Sequence, residues 1–306
     1  MCGIAGLQLR DPALHPRLGE LLAAMTAQLA DRGPDSAGIG VYGDPELGPP
    51  GRTTVSLLDA PPDGASRIAQ ELSAGGPDGP VDGVRVRTRG ATTLVSTALG
   101  AFTQGALLAA TAAALPDVLV TGHGEGFAVL KEVGDPRAIA ERLDLVSVTG
   151  YQAVAHTRMA TESAVTRSGC HPFSVGPMQC LVHNGSFHNH ASIRRELAAA
   201  GVRFDSDNDS EVGARFVAHQ LAGGVDLEKA LRLLGERFDG FFTLLVTTGD
   251  SFAVVRDRIA CKPAVVAETD AWVAMASEYR ALCALPGIES AHVFEPEPEE
   301  VYLWTR

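Results

Sequence analysis

The sequence begins MCGIAGLQL (residues 1–9), with a cysteine in second place and a short apolar run after it. The run is typical of a short buried strand. If Met1 is removed, Cys2 becomes the N-terminal residue and carries a thiol beside a free α-amine. The amine can take the thiol proton directly or through one water, and its pKa of ~7.7–8 suits a general base. The alternative is a structural cysteine that packs in the strand as a small hydrophobe.

The composition indicates a globular protein with a large core. Of the 306 residues, 45% are hydrophobic, which allows one large domain or two smaller ones. The net charge is −12, and no block of lysine or arginine stands out, which argues against a nucleic-acid-binding face. The acidic balance is typical of a soluble cytosolic protein.

The cysteines give no sign of a disulfide framework. Their number is odd, they are scattered, and no CxxC pair occurs, so a thiolate metal site is also disfavoured. No signal peptide is visible and no apolar run is long enough to span a bilayer. We therefore expect a reduced, cytoplasmic protein. The cysteines are Cys2, Cys170, Cys180, Cys261 and Cys283.

The pattern of the first 43 residues predicts a strand, then a helix, then a second strand. Apolar residues at helical spacing predict a helix over 18–29, which ends at Arg32-Gly33-Pro34, and residues 37–42 are typical of a strand. Residues 44–51 and 59–83 are rich in proline, glycine and aspartate, which is typical of surface loops. We interpret the segment of about 44–150 as an elaboration inserted into a compact core.

The core pattern resumes after residue 150. Groups of strands alternate there with groups of helices, which favours a layered α+β fold over a doubly wound sheet. The predicted strands cover 152–157, 178–183, 241–247, 252–256, 264–267, 272–276 and 301–305, and the predicted helices cover 191–200, 210–221, 227–237 and 278–285.

Four short motifs, in order along the chain, accompany Cys2. Each lies at a predicted strand end, a helix start or a helix-to-strand loop, where side chains can converge on one site. They are RGPDS at 32–36, HTRMATES at 156–163, HNG at 183–185 and DNDSE at 207–211.

With these motifs, the sequence resembles the class II glutamine amidotransferases, whose nucleophile is an N-terminal cysteine. The resemblance covers residues 1–43 and 151–285 well and 44–150 weakly. It implies a four-layer αββα N-terminal-nucleophile hydrolase sandwich, with 1–306 as one amidotransferase domain and an insertion at about 44–150. It also implies a glutaminase, which hydrolyses L-glutamine to glutamate and ammonia.

The resemblance assigns the chemistry to three residues. Cys2 would attack the glutamine amide and form a γ-glutamyl thioester, while the Asn184 side chain and the Gly185 backbone N–H would stabilise the oxyanion. Glycine suits this position because its backbone can approach a substrate closely. The alternative for His-Asn-Gly is an ordinary turn after a strand.

Four further residues would hold the glutamine molecule. Arg158 would bind the α-carboxylate through a bidentate contact, with a hydroxyl donated by Thr161, whose alternative is a loop cap. Asp209 would accept from the α-ammonium, and its alternative is to cap the helix that follows, a role for which Asp207 competes. Arg32 resembles an arginine beside the nucleophile; its alternative is a surface salt bridge.

No metal or cofactor is expected in this chain. His156, His171 and His183 each flank a motif, but the resembled enzymes use no metal. His188 and His190 form an HxH pair, but in what is predicted to be a loop before a helix. The sequence carries no flavin or cluster motif.

The departures from the common pattern indicate a branch of the family. Met159 and Glu162 stand where many relatives carry tryptophan and histidine, which points away from glucosamine-phosphate synthase. HTRMATES, KEVGDPRAI (131–139) and SEYRALCALPGIE (277–289) resemble stand-alone glutaminase subunits of the glutamate-synthase type, including the A subunit of N-methylglutamate synthase. This implies separate partner subunits that resemble the FMN and GXGXG domains of glutamate synthase and hold FMN and iron–sulfur clusters. The segment 44–150 is the expected docking surface.

Two other functions stay open at this point. The chain could be a non-catalytic subunit that senses glutamine, or a stand-alone amidohydrolase that acts on another γ-glutamyl compound. Because the sequence ends soon after the glutaminase core, we expect the ammonia to be used on another polypeptide.

Overall fold

Every residue of the opening strand, Gly3–Leu9, is buried, because the strand lies in the middle of the largest sheet with neighbours on both edges. The computed structural model describes residues 1–75, 83–98, 104–160 and 164–306. In chain order the strands are β1 (Gly3–Leu9), β2 (Ser36–Tyr42), β3 (Arg52–Leu58), β4 (Arg85–Arg89), β5 (Thr92–Ala98), β6 (Val120–Glu125), β7 (Phe127–Val133), β8 (Gln152–Arg158), β9 (Cys180–Phe187), β10 (Gly240–Thr247), β11 (Ser251–Arg256), β12 (Val265–Glu268), β13 (Trp272–Ala276), β14 (His292–Phe294) and β15 (Val301–Thr305).

The α-helices in the described ranges fall into groups between these strands. They are α1 (Leu18–Leu29), α2 (Gly64–Gly75), α3 (Gln104–Ala114), α4 (Pro136–Arg142), α5 (His190–Ala199), α6 (Asp209–Ala222), α7 (Leu227–Arg237) and α8 (Tyr279–Leu282). None of them combines the length and apolar character needed to cross a lipid bilayer.

The strands form three antiparallel sheets. The seven-stranded sheet has the order β14-β12-β13-β1-β8-β2-β7, and the four-stranded sheets have the orders β15-β11-β10-β9 and β4-β5-β3-β6. Residue Gly3 lies opposite Thr157 in the register of β1 and β8, so the N-terminus and the HTR motif meet at one end of the large sheet.

Two of the sheets stack face to face, with helices on both outer sides. Helix α1 packs on the outer face of the large sheet through Leu18, Leu22 and Met25. A second core fills the space between the sheets, and a third lies between the β9–β10–β11–β15 sheet and helices α5 to α7. This is the four-layer αββα order that the resemblance implies, because each sheet buries one face on its partner and the other on helices.

The two sheets approach closely at a residue without a side chain. A β-carbon on Gly6 would lie 2.3 Å from Cδ2 of Leu245 and 2.9 Å from the Phe252 ring. Such distances are far shorter than van der Waals contact, so only glycine fits at this point of β1.

The third sheet and helices α2 and α3 come from within the 44–150 segment. The prediction that residues 59–83 form only loop is wrong in part, because Gly64–Gly75 is a helix. Its residues Ile68 and Leu72, four apart, pack against Val55 and Leu107. Residues 76–82 lie outside the described ranges. Strand β7, also within 44–150, pairs with β2 and so belongs to the large sheet.

Most predicted core elements match the structure closely. Helix α1 has the predicted bounds, and α5, α6 and α7 differ from prediction by one residue at either end at most. Strand β9 differs more, since it begins at Cys180 and continues through Asn184 and Gly185 to Phe187. The His-Asn-Gly motif is therefore not a turn: it is part of a strand that pairs with β10 along its length.

Candidate functional site

Cys2 lies immediately before β1, at the end of the large sheet where β8 also ends. Its side chain is partly exposed, and its Sγ lies 3.9 Å from the carbonyl oxygen of Met159. The ammonium of Met1 contacts the Met159 sulfur at 2.8 Å, and both methionines are exposed. The thiol is thus accessible from solvent at the end of β8.

Arg32 and Asn184 converge on the backbone of Cys2. The Arg32 Nε donates to the Cys2 carbonyl oxygen at 3.1 Å, and the Asn184 Nδ2 donates to the same oxygen at 3.3 Å. Arg32 also binds Glu278, with Nη1 2.7 Å from Oε1, and its side chain is only 11% exposed. The predicted alternative for Arg32, a surface salt bridge, therefore describes only one of its two contacts.

Gly185 has a backbone conformation that suits no other residue. Its φ is +149°, and a β-carbon there would lie 2.0 Å from the Phe241 carbonyl oxygen and 2.9 Å from the His183 Nε2. Only glycine therefore fits at this position of β9, directly after Asn184.

Arg158 is the last residue of β8 and is mostly buried. Its Nη1 donates to the Ala164 carbonyl oxygen at 3.3 Å, and a β-carbon on Gly169 would lie 3.1 Å from the same nitrogen. The guanidinium group is therefore enclosed by the loop that follows β8. Thr161, predicted to act beside it, lies outside the described residues.

The RGPDS motif packs against the end of β8. The Asp35 Oδ2 accepts from the Ala160 backbone N–H at 2.8 Å, and the Asp35 N–H donates to the Arg158 carbonyl oxygen. A β-carbon on Gly33 would lie 2.3 Å from the Thr157 carbonyl oxygen. The motif thus fixes the backbone on both sides of Arg158.

Asp209 lies at the first turn of α6 and faces β9. Its Oδ2 accepts from the Phe187 backbone N–H at 2.8 Å. The predicted alternative, a capping role for Asp209 or Asp207, is wrong: Asn208 has the extended backbone of an N-cap and accepts from the Ser210 N–H at 2.9 Å. Asp207 is fully exposed and pairs with Arg194.

The three motif histidines come together in the interior. The ring centroids of His156 and His171 are 4.2 Å apart, and those of His171 and His183 are 6.4 Å apart. Burial lowers the pKa of His156 to about 3 and that of His183 to about 4, and it lowers the pKa of His171 well below its usual value. All three rings are thus neutral at pH 7.

No group of three or more histidine, cysteine or acidic side chains that could hold a metal ion occurs in the described part of the chain. In the HxH pair, His190 Nδ1 lies 2.7 Å from the Phe187 carbonyl oxygen, which ties that ring to the end of β9. Cys170 is buried, its sulfur lies 3.2 Å from the Thr166 carbonyl oxygen, and burial raises the pKa of its thiol.

Two residues outside the four motifs contact residues of the site. Ser277 accepts from the Ile4 backbone N–H at 2.9 Å, and Glu278 pairs with Arg32. Both occur in SEYRALCALPGIE, which signalled a family branch but gave no position for these side chains. The pairing of β13 with β1, a contact distant in sequence, brings them to Ile4 and Arg32.

Residues 145–299, about half of the chain, match the family model described as the glutamine amidotransferase domain. The chain belongs to the glutamine amidotransferase family, and within it to class II, the N-terminal-nucleophile type. It is 46% identical over 305 residues to the glutamine amidotransferase-like protein GlxB of Rhizobium meliloti (strain 1021), in an alignment that covers 99% of this chain and 98% of that protein.

Two solved structures share the fold. The glutamine phosphoribosylpyrophosphate amidotransferase from B. subtilis superposes with a TM-score of 0.61 at 17% identity, over 99% of this chain and 47% of that one. A structure described as the allosteric regulatory enzyme of purine biosynthesis gives a TM-score of 0.63 at 17% identity, with the same coverage. The chain thus spans about half the length of these proteins. The predicted four-layer N-terminal-nucleophile sandwich is confirmed.

Proposed function

We propose that this chain hydrolyses L-glutamine to glutamate and ammonia through a γ-glutamyl thioester on Cys2, as the glutaminase subunit of an amidotransferase. The observation that carries the proposal is the convergence of Arg32 and Asn184 on the Cys2 carbonyl oxygen. These two contacts hold the nucleophile beside Asn184 and Gly185, at an accessible end of the large sheet.

The reaction begins with Cys2 after removal of Met1. The α-amine takes the thiol proton, and the sulfur attacks the amide carbon of glutamine. Collapse of the tetrahedral intermediate breaks the C–N bond, and ammonia leaves with the proton held by the amine. Water then attacks the thioester, the C–S bond breaks, and glutamate and the free thiol are released.

Asn184 and Gly185 supply the two donors for the oxyanion. The Asn184 side chain has two N–H groups, so one can hold the Cys2 carbonyl while the other faces the substrate. Gly185, on the edge strand β9 of its sheet, has a positive φ and lies opposite Phe242 of β10. Each such donor is worth ~3–4 kcal/mol in the transition state.

Arg158, Thr161 and Asp209 are proposed to hold the amino-acid end of glutamine. The guanidinium of Arg158 suits the α-carboxylate, because both groups are planar and can form paired hydrogen bonds. Asp209 is proposed to bind the α-ammonium, because a carboxylate can only accept hydrogen bonds. Asn208, not Asp209, caps the N-terminus of α6. Arg32 is proposed to act through the Cys2 backbone.

We further propose that the ammonia is used by a separate subunit that resembles the FMN and GXGXG domains of glutamate synthase. The alignment with GlxB supports this proposal. It covers 98% of GlxB, so that relative has almost no further sequence for a synthase domain of its own. Residues 1–306 would then form one amidotransferase domain, with the segment of about 44–150 as the docking surface.

Substitutions on the exposed edge strand β4 can test whether this segment is the docking surface. Arg85 and Arg87, two residues apart, lie on the same face of β4. Reversal of both charges to glutamate should stop co-purification of the synthase-like subunit and leave glutamine hydrolysis unchanged. Reversal of the exposed Arg195 on α5 is the matched control and should leave the complex intact. If the β4 variant still binds its partner, this strand is not the docking surface.

The central experiment is intact mass spectrometry before and after treatment with a glutamine-like diazoketone. Loss of Met1 followed by a single adduct, absent from Cys2→Ala but present in a variant of the exposed Cys283, supports the mechanism. Active protein that retains Met1 would contradict it. Binding of glutamine without ammonia release would indicate a sensor instead, and a preference for another γ-glutamyl compound would indicate a different amidohydrolase.

A further inference from the structure

A buried chain of hydrogen bonds connects β9 to the carboxylate of Asp209. The Nδ1 of His183 lies 2.7 Å from the Ser210 Oγ, and this Oγ lies 3.2 Å from the Asp209 Oδ1. His183 and Ser210 are both almost completely buried, so water does not compete for these contacts.

The chemistry of the groups fixes the direction of the chain. An ionised carboxylate can only accept, so the Ser210 hydroxyl donates to Asp209. The hydroxyl proton is then used, so the neutral His183 ring carries its proton on Nδ1 and donates to Ser210. The Nε2 of His183 has no hydrogen-bond partner in the described ranges, which agrees with this tautomer.

Asp209 is therefore attached to β9 at two points. Its Oδ2 accepts directly from the Phe187 backbone N–H, and its Oδ1 is held through Ser210 by His183. Between these attachment points on the same strand lie Asn184 and Gly185, the proposed oxyanion donors. The carboxylate and the oxyanion donors thus share one rigid support.

The same strand is also tied to β8. The Nε2 of His156 donates to the His183 carbonyl oxygen at 3.1 Å, and Arg158 lies two residues further along β8. The connections from His156 through His183 to Ser210 therefore join the elements that carry Arg158, Asn184 and Asp209.

We propose that His183 and Ser210 are positioning residues that set the distance between the oxyanion donors and the acceptor for the substrate ammonium. The inference rests on the proposed function, because it needs glutamine to span from Asn184 to Asp209. A rotated carboxylate would still be charged, but it would bind the substrate ammonium less tightly.

The main test is Ser210→Ala, which removes the donor to the Asp209 Oδ1 and the acceptor for the His183 Nδ1. The KM for glutamine should rise by about tenfold, as expected for loss of a hydrogen bond to a charged group. The kcat should stay within about twofold, since Cys2 and the oxyanion donors are untouched. The matched control is Ser56→Ala in the third sheet, where a buried hydroxyl also forms a hydrogen bond. It should lower the melting temperature without changing KM.

A pair of histidine variants tests the chain itself. In His183→Asn the side-chain amide lies where Nδ1 lies and can still donate to Ser210, whereas in His183→Gln it lies near the position of Nε2. Asparagine should keep KM near the wild-type value, and glutamine should raise it. Because both changes break one chain, the double variant of His183→Gln with Ser210→Ala should have the KM of Ser210→Ala alone.

The inference is overturned if Ser210→Ala lowers stability while KM stays within about twofold of wild type, or if the effects of the two changes multiply. Calorimetry with glutamine in the Cys2→Ala background separates this failure from that of the proposed function. Absence of glutamine binding to Cys2→Ala, with no ammonia release by the wild type, would contradict the function as well. Normal binding that Ser210→Ala does not weaken would contradict only the positioning roles.

Discussion

Glu278 and Arg32, 246 residues apart in the sequence, form an ion pair with a nitrogen–oxygen distance of 2.7 Å. The same guanidinium donates to the carbonyl oxygen of Cys2. Glu278 is therefore one contact removed from Cys2, although it belongs to the segment that follows β13.

Replacement of Glu278 by alanine should lower both activity and stability. Arg32 would keep its contact with Cys2 but lose its carboxylate partner in a mostly buried position, at a cost of about 1–3 kcal/mol. We expect a lower melting temperature and a kcat reduced by about tenfold, since the Cys2 backbone loses a fixed neighbour. Steady-state ammonia release and thermal unfolding measure the two effects.

The control for this prediction is Glu228→Ala, which removes an exposed ion pair with Arg232 on α7. An exposed pair at this helical spacing is worth about 0.3–0.5 kcal/mol, so both measurements should barely change. Equal effects of the two substitutions would show that the Arg32 pair has no special relation to Cys2.

Replacement of Gly185 by alanine should abolish activity. The new methyl group would lie 2.0 Å from the Phe241 carbonyl oxygen, so β9 must move away from β10 or the chain must change its φ of +149°. Either change displaces the Asn184 side chain from Cys2. We expect loss of glutamine hydrolysis together with a reduced free energy of unfolding.

Gly201→Ala separates steric conflict from backbone strain. Gly201 also has a positive φ, +90°, but a β-carbon there would meet no atom within 4 Å. This variant should lose about 1 kcal/mol of stability from strain alone and retain full activity. Full activity in Gly185→Ala as well would refute the assignment of the oxyanion site.

Replacement of Asp35 by alanine should weaken glutamine binding. The substitution releases the Ala160 N–H just after Arg158, so the loop that encloses the guanidinium loses its anchor. The KM should rise several-fold. Asp135→Ala is the comparison, because Asp135 also accepts from backbone N–H groups, at the start of α4, and its loss should cost about 1 kcal/mol of stability with KM unchanged.

Because three histidines are buried, we expect the free energy of unfolding to fall in acid. Their pKa values are lowered in the fold, to about 3 for His156 and about 4 for His183, mainly by burial. The unfolded chain, with histidine pKa values near ~6.5, binds more protons below that pH. The stabilisation is therefore complete above pH ~6.5 and is lost as the pH falls towards 4, by up to ~1.4 kcal/mol per pH unit for each ring.

Urea unfolding at pH 7.5, 6.5 and 5.5 measures this loss. His156→Gln should be less stable at pH 7.5 but should lose stability less steeply as the pH falls, because one titrating group is removed. A variant of the exposed His219 serves as the control and should keep the wild-type slope. Parallel curves for wild type and His156→Gln would show that this ring does not contribute.

The local spacing of apolar residues was sufficient to predict the regular helices and strands of the core. The spacing of Leu18, Leu22 and Met25 determined α1, and the apolar run after Cys2 determined β1. Helix α2 was missed because proline, glycine and aspartate on both sides of it masked the short apolar spacing of Ile68 and Leu72.

The motifs predicted a candidate site but not its internal contacts. HNG, HTR and the DNDSE motif are recognisable as residue types, yet whether Asn208 or Asp209 caps α6 depends on backbone angles that the letters do not specify. Glu278 and Ser277 depend on the pairing of β1 with β13, which joins residues from opposite ends of the chain. Register between distant strands is a global property, so local periodicity could not reveal these two side chains.

The missing side chain at Gly6 has a consequence beyond packing. Gly6 lies four residues after Cys2 on β1, where Leu245 and Phe252 of the second sheet approach the strand. The spacing of the two sheets at Gly6 thus bears on the distance between Cys2, which precedes β1, and Asn184 on β9. A larger residue at position 6 would push the two sheets apart. We expect the first measurable effect to be a lower rate of ammonia release.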